Sequence, residues 1–150
     1  MIGAEILTEA MAESGTSVVF SLSGNQIMPI YDACIAPGIR IVHVRHENAA
    51  VFMADGYAQV GAQVGAQVGE QVEAQVGSAV DVGADSRGGA SYGVALVTAG
   101  PGFANALGGL YSALMAESPV VLISGDSAVA QDGKRAVSYT HLTLPTTPYV

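Results

Sequence analysis

The sequence predicts an α/β protein built on an open, doubly wound parallel sheet. Three observations carry that expectation. Apolar runs rich in β-branched residues alternate with segments of helical periodicity, as in βαβ units. The runs Val18-Val19-Phe20, Val94-Ala95-Leu96-Val97 and Val120-Val121-Leu122-Ile123 are apolar without alternation, as strands covered on both faces are. The chain has 150 residues, half of them AVILMFWYC, which is enough for one ordinary domain with a real core.

The elements follow in order. Ile2–Ser14 reads as a helix with Ile2, Ile6, Leu7, Ala10 and Met11 on its inner face and Glu5, Glu9 and Glu13 opposite, stopped by Gly15. Val18-Val19-Phe20 is a short buried strand, and Ser21–Asn25 is a turn of small residues. Gln26–Ile35 returns to helical spacing, with Ile27, Ile30, Tyr31 and Cys34 inward, until Pro37-Gly38 breaks it. Ile39–Val44 is a strand by its β-branched content. Glu47–Tyr57 is a helix offering Ala50, Val51, Met53, Ala54 and Tyr57 for packing. Tyr92–Thr98 is a third strand and Gly100-Pro101-Gly102 a turn. Phe103–Ala116 is a helix packing through Leu107, Leu110, Leu114 and Met115; Pro119 ends it and the fourth strand follows.

Two stretches depart from this scheme. Residues Gln59–Ser78 repeat with period four: QVGA, QVGA, QVGE, QVEA, QVGS. On a helix a four-residue repeat drifts about 40° per unit, so the valines wrap around it, and each glycine costs roughly 1 kcal/mol relative to alanine. The same repeat alternates as a strand, and the pattern leaves both conformations open. With Val80–Gly89 it makes an insertion over 59–89, expected to be a variable, non-catalytic extension. The second departure is Val137–Val150, VSYTHLTLPTTPYV, where composition turns abruptly to Thr and Pro. It reads as a non-native tail, leaving a domain over 1–136 and no information in His141.

Composition excludes several function classes. Lys plus Arg number 5 against 13 Asp plus Glu, a formal charge of −8. That opposes a nucleic-acid binder or a polybasic membrane anchor. Cys34 is the single cysteine, so neither a disulfide framework nor a four-cysteine zinc site is available. No basic region with an apolar stretch opens the chain, and no apolar run reaches the ~20 residues of a membrane span. The default expectation is a soluble cytoplasmic protein.

In a doubly wound sheet ligands bind beyond the carboxyl ends of the strands. There lie Ser21–Asn25, Arg45–Asn48, Thr98–Gly102 and Gly125-Asp126-Ser127. Glu47, past a strand and opening a helix, is held by the helix dipole. It reads either as an ordinary first-turn acid or as a partly buried carboxylate able to share a proton with a ligand nitrogen. Gly100-Pro101-Gly102 serves as a tight turn or allows close ligand approach. Asn25 fits a cap on the second helix. His43 and His46 read as structural, Cys34 as packing, and Asp126 and Asp132 as solvated loop carboxylates rather than metal ligands.

Three strings in order sharpen this reading: FSLSGNQIMPIYDAC, IRIVHVRHENAAVFMADGYAQ and VALVTAGPGFANALGGLYSALMAESPVVLISGDS. Over Met1–Ala58 and Tyr92–Gly133 the chain resembles the amino-terminal, pyrimidine-binding domain of thiamine-diphosphate-dependent enzymes, of the acetolactate synthase, 2-oxo-acid decarboxylase and benzaldehyde lyase group. The RHE-x-x-A-x-x-M-A-D-G-Y-A and T-x-G-P-G-x-x-N strings are specific together. The resemblance implies that a glutamate in the place of Glu47 hydrogen-bonds the cofactor's aminopyrimidine N1′, promoting removal of the thiazolium C2 proton. Decarboxylation of a 2-oxo acid and transfer of the remaining fragment to an acceptor follow. It further implies that Thr98, Pro101 and Asn105 line the pyrimidine pocket and that Gly24 and Asn25 approach from the other side. His46 is placed less securely beside the carboxylate.

The departures carry expectations too. Gln59 stands where family members commonly have Arg, and the repeat is foreign to the pattern. The family builds its site between two subunits of a homodimer or homotetramer. The diphosphate and its Mg2+ are expected in a separate carboxy-terminal domain with a Gly-Asp-Gly opening and a downstream Asn, which this chain lacks. The chain by itself is therefore expected to be an inactive fragment that binds the whole cofactor poorly, with a sheet edge left open. The alternatives are a non-catalytic half-site subunit completed by a partner chain, and an oxalyl-CoA or aryl 2-oxo-acid decarboxylase or benzaldehyde lyase-like enzyme. A generic nucleotide-binding domain is disfavoured by the lack of GxGxxG or GxxxxGK[ST] after a strand.

Overall fold

A computed structural model describes residues 2–75 and 92–127, with backbone alone for 62–75. The elements are α1 (Gly3–Glu13), β1 (Val18–Ser21), a 3-10 turn (Asn25–Ile27) leading into α2 (Met28–Ala33), β2 (Arg40–His43), α3 (Glu47–Gln75), β3 (Gly93–Val97), α4 (Pro101–Met115) and β4 (Val120–Ser124). The expected tail at 137–150, Asp132 and His141, and the insertion beyond Gln75 lie outside the described residues.

All four strands are parallel, in the order β2-β1-β3-β4. Parallel neighbours need a crossover, and a helix supplies each one. The winding reverses between β1 and β3: the chain first steps outward to β2, then α3 carries it back to β3 and α4 onward to β4. One face of the sheet packs Val18, Phe20, Ala95 and Val97 against Ala50, Val51 and Ala54 of α3 and Ala106 of α4. The other packs Val19, Val94 and Leu96 against Met11 of α1 and Ile27 and Cys34 near α2. The doubly wound expectation therefore holds.

Covering on both faces holds for β1 and β3, whose residues are all buried. It fails for β4, which stands at an edge of the described sheet and is half-exposed, Val121 among its residues; β2, read as a strand from its β-branched content, is half-exposed at the other edge. Uniform apolarity reported strand identity there, not position in the sheet.

Helix faces differ from expectation in an instructive way. In α1 the inner face is Leu7, Thr8 and Met11; Ala10 is exposed, and Ile2 and Ile6 stand 57% and 55% exposed. Thr8 wins its place by hydrogen bonding: its hydroxyl lies 3.1–3.2 Å from the carbonyls of Ala4, Glu5 and Ala33, the last on α2. A count of apolar residues misses a threonine that docks two helices. In α4 the buried residues are Gly102, Ala106, Gly109 and Ala113, while Leu107, Leu114 and Met115 face outward. Small residues let α4 lie close to α3. Within α3, Ala50, Val51, Ala54 and Ala58 pack fully, and Met53 and Tyr57 remain partly exposed, Tyr57 edge-on to Phe20 at 5.9 Å.

The helix expected to end at Tyr57 runs on to Gln75. No proline or capping glycine stops it, so propagation continues into the repeat despite the glycine cost. The backbone thus selects helix for the repeat as far as Gln75. Where α3 crosses the sheet, Gly93 is essential to the approach, because a Cβ there would lie 1.9 Å from the Ala54 carbonyl oxygen. Among the described residues no helix is long and apolar enough to cross a membrane.

Replacing Thr8 by valine should cost about 1 kcal/mol by urea unfolding, since volume is kept and the Ala33 carbonyl loses its donor. Cys34, 1% exposed, has its thiol pushed up by burial. The folded chain thus favours the neutral thiol. That contribution is fully present below the ordinary thiol value and is lost as pH rises through the raised one. The thiol should label with an aromatic disulfide reagent at pH 8 only at the rate of unfolding, and immediately in denaturant.

Candidate functional site

Parallel strands point their carboxyl ends to one edge, and the β1–β3 reversal opens a crevice there. The Leu22–Gly24 turn leaves β1, Thr98 leaves β3, and Gly125 leaves β4. Ser21 Oγ donates to the Leu96 carbonyl at 2.6 Å and receives the Tyr31 hydroxyl at 2.7 Å, tying β1, β3 and α2 together below the crevice. Burial pushes the Tyr31 phenol up, an effect the Ser21 hydrogen bond opposes and nearby Cys34 adds to. His43, exposed at the end of β2, lies 5.6 Å from the Tyr31 ring and ligates nothing described.

Gly24 sits against Thr98 so closely that a Cβ on it would meet Thr98 Cβ at 2.4 Å. The Thr98 hydroxyl donates to Gln26 Oε1, and a Cβ on Gly125 would lie 2.6 Å from Gln26 Cβ. Gln26 therefore joins the ends of β1, β3 and β4. Gly100, at φ +65°, turns the chain from β3 into α4, a conformation glycine adopts without strain.

Glu47 opens α3 and is 8% exposed. Its Oε2 accepts from Asn105 Nδ2 at 3.0 Å across 58 residues of chain. A Cβ on Gly102 would lie 3.2 Å from Glu47 Oε1 and 2.7 Å from Thr98 Cγ2, so the Gly100–Gly102 turn leaves room for both side chains. Among the described residues no cation pairs with this carboxylate. A nearly buried acid with one neutral donor is poised to meet a ligand donor or a protonated ring nitrogen.

The structure therefore brings together Gly24 with Thr98 and Glu47 with Asn105, and Gly102 bridges the two pairs. Asn25 and Pro101 are exposed at the starts of the 3-10 turn and α4, with no described contact to Glu47. Asn25 is not the expected cap: Gly24 holds the cap position and no side chain caps the turn. His46 gains a definite role, because its Nδ1 accepts the Asn48 amide at 3.1 Å and its carbonyl the Ala49 amide at 3.0 Å, capping α3. Gln26 and Asn48 were not singled out by sequence, since their partners are remote backbone and side-chain atoms that no local pattern announces. Asp126 is an exposed loop carboxylate as expected, accepting the Ser127 amide. No metal-ligating cluster exists among the described residues. A cavity of about 540 Å³ on the far side of α4, lined by Leu107, Leu110, Tyr111 and Val120, offers no carboxylate or imidazole.

The family model for the thiamine pyrophosphate enzyme, N-terminal TPP binding domain, matches residues 1–76 and 72–143. The chain belongs to this family. As a thiamine pyrophosphate enzyme N-terminal domain it has curated relatives named as lyases and others named as synthases. It is 37% identical over 135 residues to 2-hydroxyacyl-CoA lyase 2 of Danio rerio, covering 90% of this chain and 17% of the relative. It is 35% identical over 127 residues to the acetolactate synthase large subunit of Buchnera aphidicola, 84% of this chain and 17% of the relative. It is 35% identical over 132 residues to acetolactate synthase isozyme 3 large subunit of Escherichia coli, 87% and 18%. The chain thus spans less than a fifth of the length of these relatives.

Close packing at Gly24 gives a direct check. Gly24→Ala should destabilise the domain by about 1–3 kcal/mol in urea unfolding, because the turn must move off Thr98. Gly3→Ala, where a Cβ meets nothing within 4 Å, should be neutral or stabilising by up to about 1 kcal/mol.

Proposed function

We propose that this domain holds the aminopyrimidine half of thiamine diphosphate for an enzyme acting on 2-oxo acids, by acetolactate synthase-like decarboxylation and carboligation. The observation that carries the reading is Glu47: a nearly buried carboxylate, oriented by Asn105, at the carboxyl edge of a doubly wound sheet. The residues present fit the group. Glu47 offers the acceptor that a protonated ring nitrogen needs, and Gly24 and Gly102 let Thr98 and Glu47 stand close together at the same crevice. Thr98, Gly24 and Asn105 would line the ring, with Asn25 and Pro101 at its exposed rim.

When bound, thiamine diphosphate supplies the nucleophilic carbon and the electron sink that cleavage beside a carbonyl requires. The chain's own residues bind and orient. Glu47 holds a proton shared with the ring nitrogen, Asn105 keeps that carboxylate aimed, and the Gly24–Thr98 contact limits water at the ring face. Mg2+ and the diphosphate fall to a separate domain in this reading, as does most substrate recognition. The apolar residues left exposed on α4 and α3, Phe103, Leu107, Leu114, Met115 and Phe52, support burial against a partner copy or domain beside the site. In this reading the chain alone is inactive, because the diphosphate is held elsewhere.

A second reading has a specific support: the Danio rerio relative is named a 2-hydroxyacyl-CoA lyase, and its identity to this chain matches that of the synthases. Cleavage of a 2-hydroxyacyl-CoA would use the same cofactor half and the same Glu47.

The test joins this domain to the diphosphate-binding domain of its own gene or partner chain and assays pyruvate carboligation and 2-hydroxyacyl-CoA cleavage. Glu47→Gln should lower kcat by about 10²–10⁴-fold at saturating cofactor, the range for loss of a general acid–base group. Unchanged turnover in that variant would refute the role given to Glu47, and the preferred substrate separates the two readings.

A further inference from the structure

The first two residues of α3 reach the same face of α4 one turn apart. Glu47 takes the Asn105 side-chain amide, and Asn48 Oδ1 accepts the backbone amide of Gly109, four residues further along α4. The glycines of α4 make room for this. A Cβ at Gly109 would lie 2.8 Å from Asn48 Oδ1 and 2.9 Å from Val51 Cβ, and one at Gly108 would touch Oδ1 at 3.5 Å. Asn48 is itself held, since its own amide is bonded to His46 Nδ1. A side chain on one helix thus anchors to main chain of the other, where no rotamer change can release the partner.

We infer that Asn48 is a positioning residue for Glu47: its bond to Gly109 sets the register of α3 against α4 and so keeps the Glu47 carboxylate on Asn105. The physical reason is leverage. The Glu47–Asn105 bond joins two flexible side chains, and its geometry is only as good as the placement of the helices that carry them. A backbone anchor one residue away removes sliding and rotation at that point. Misplacement by about 1 Å is enough to cost catalytic groups most of their effect. The inference rests on the proposed pyrimidine site for its consequence, and on the helix contact alone for its structural content.

The experiment uses the full chain labelled with 15N, with 4-amino-5-hydroxymethyl-2-methylpyrimidine as probe. Three variants are compared well below their unfolding temperatures: Asn48→Ala, Asn48→Asp and Thr8→Val. The last is a stability control on the opposite face of the sheet. In Asn48→Ala the Asn105 side-chain amide signals should move to solvent-exposed positions and probe affinity should fall about tenfold. Asn48→Asp keeps the acceptor and should retain the Asn105 signals. Thr8→Val should lower the unfolding temperature without moving either readout. If Asn48→Ala does not fold, Asn48→Ser, too short to reach Gly109, takes its place. Unmoved Asn105 signals in the shortened variant, or equal movement in Thr8→Val, would overturn the inference. Failure of the wild-type chain to bind the probe at any concentration would instead refute the pyrimidine site, while the Asn105 signals would still decide the role of Asn48.

Discussion

Parallel pairing of β1 with β3 is the constraint on which the rest of the molecule depends. Val18–Ser21 and Gly93–Val97 are buried throughout, and most of the helix packing on the sheet is made to one of them. Two central strands running the same way cannot be joined by a turn. The chain must leave β1, build β2 outside it, and return through α3. That detour places three strand ends and two helix starts around a single crevice. The candidate site is a by-product of satisfying the backbone of a parallel sheet.

Close approach is the second theme. Gly93 under α3, Gly24 beside Thr98, and Gly102 and Gly109 beneath Glu47 and Asn48 each stand where a Cβ would fall at or below 3.2 Å of a neighbour. Close packing at these points is achieved by removing side chains. α4 shows the consequence: its small residues face α3, and its large ones face outward. An exposed apolar face of that kind is costly in water.

Legibility in the sequence followed the reach of each interaction. Element types came through, because periodicity and β-branching act locally: β3 and β4 were placed within a residue or two, and Ile27, Ile30, Tyr31 and Cys34 were read correctly as an inner face. Glu47, Gly24, Thr98 and Asn105 are marked by the motif strings, and the structure sets them side by side as the pairs Gly24–Thr98 and Glu47–Asn105. Thr8 did not, since its burial depends on a carbonyl of α2 25 residues away. The exposure of Leu107 and Leu114 did not, because a helix with apolar residues all round gives no clue to which stripe the neighbour takes. The end of α3 was misplaced because a missing stop signal is easily taken for a stop.

What the sequence determined by itself is the alternation of strands and helices, the parallel class, and a carboxylate at the start of a helix after a strand. These follow from local propensity and from the way each segment must hide its apolar side. Tertiary structure alone decided the order β2-β1-β3-β4, which of two helical stripes is buried, and that Asn105 and Gly109 meet Glu47 and Asn48. The reason is physical: a hydrogen bond across 58 or 61 residues exists only after both helices have docked on the same sheet face, and no pattern within either segment encodes that docking.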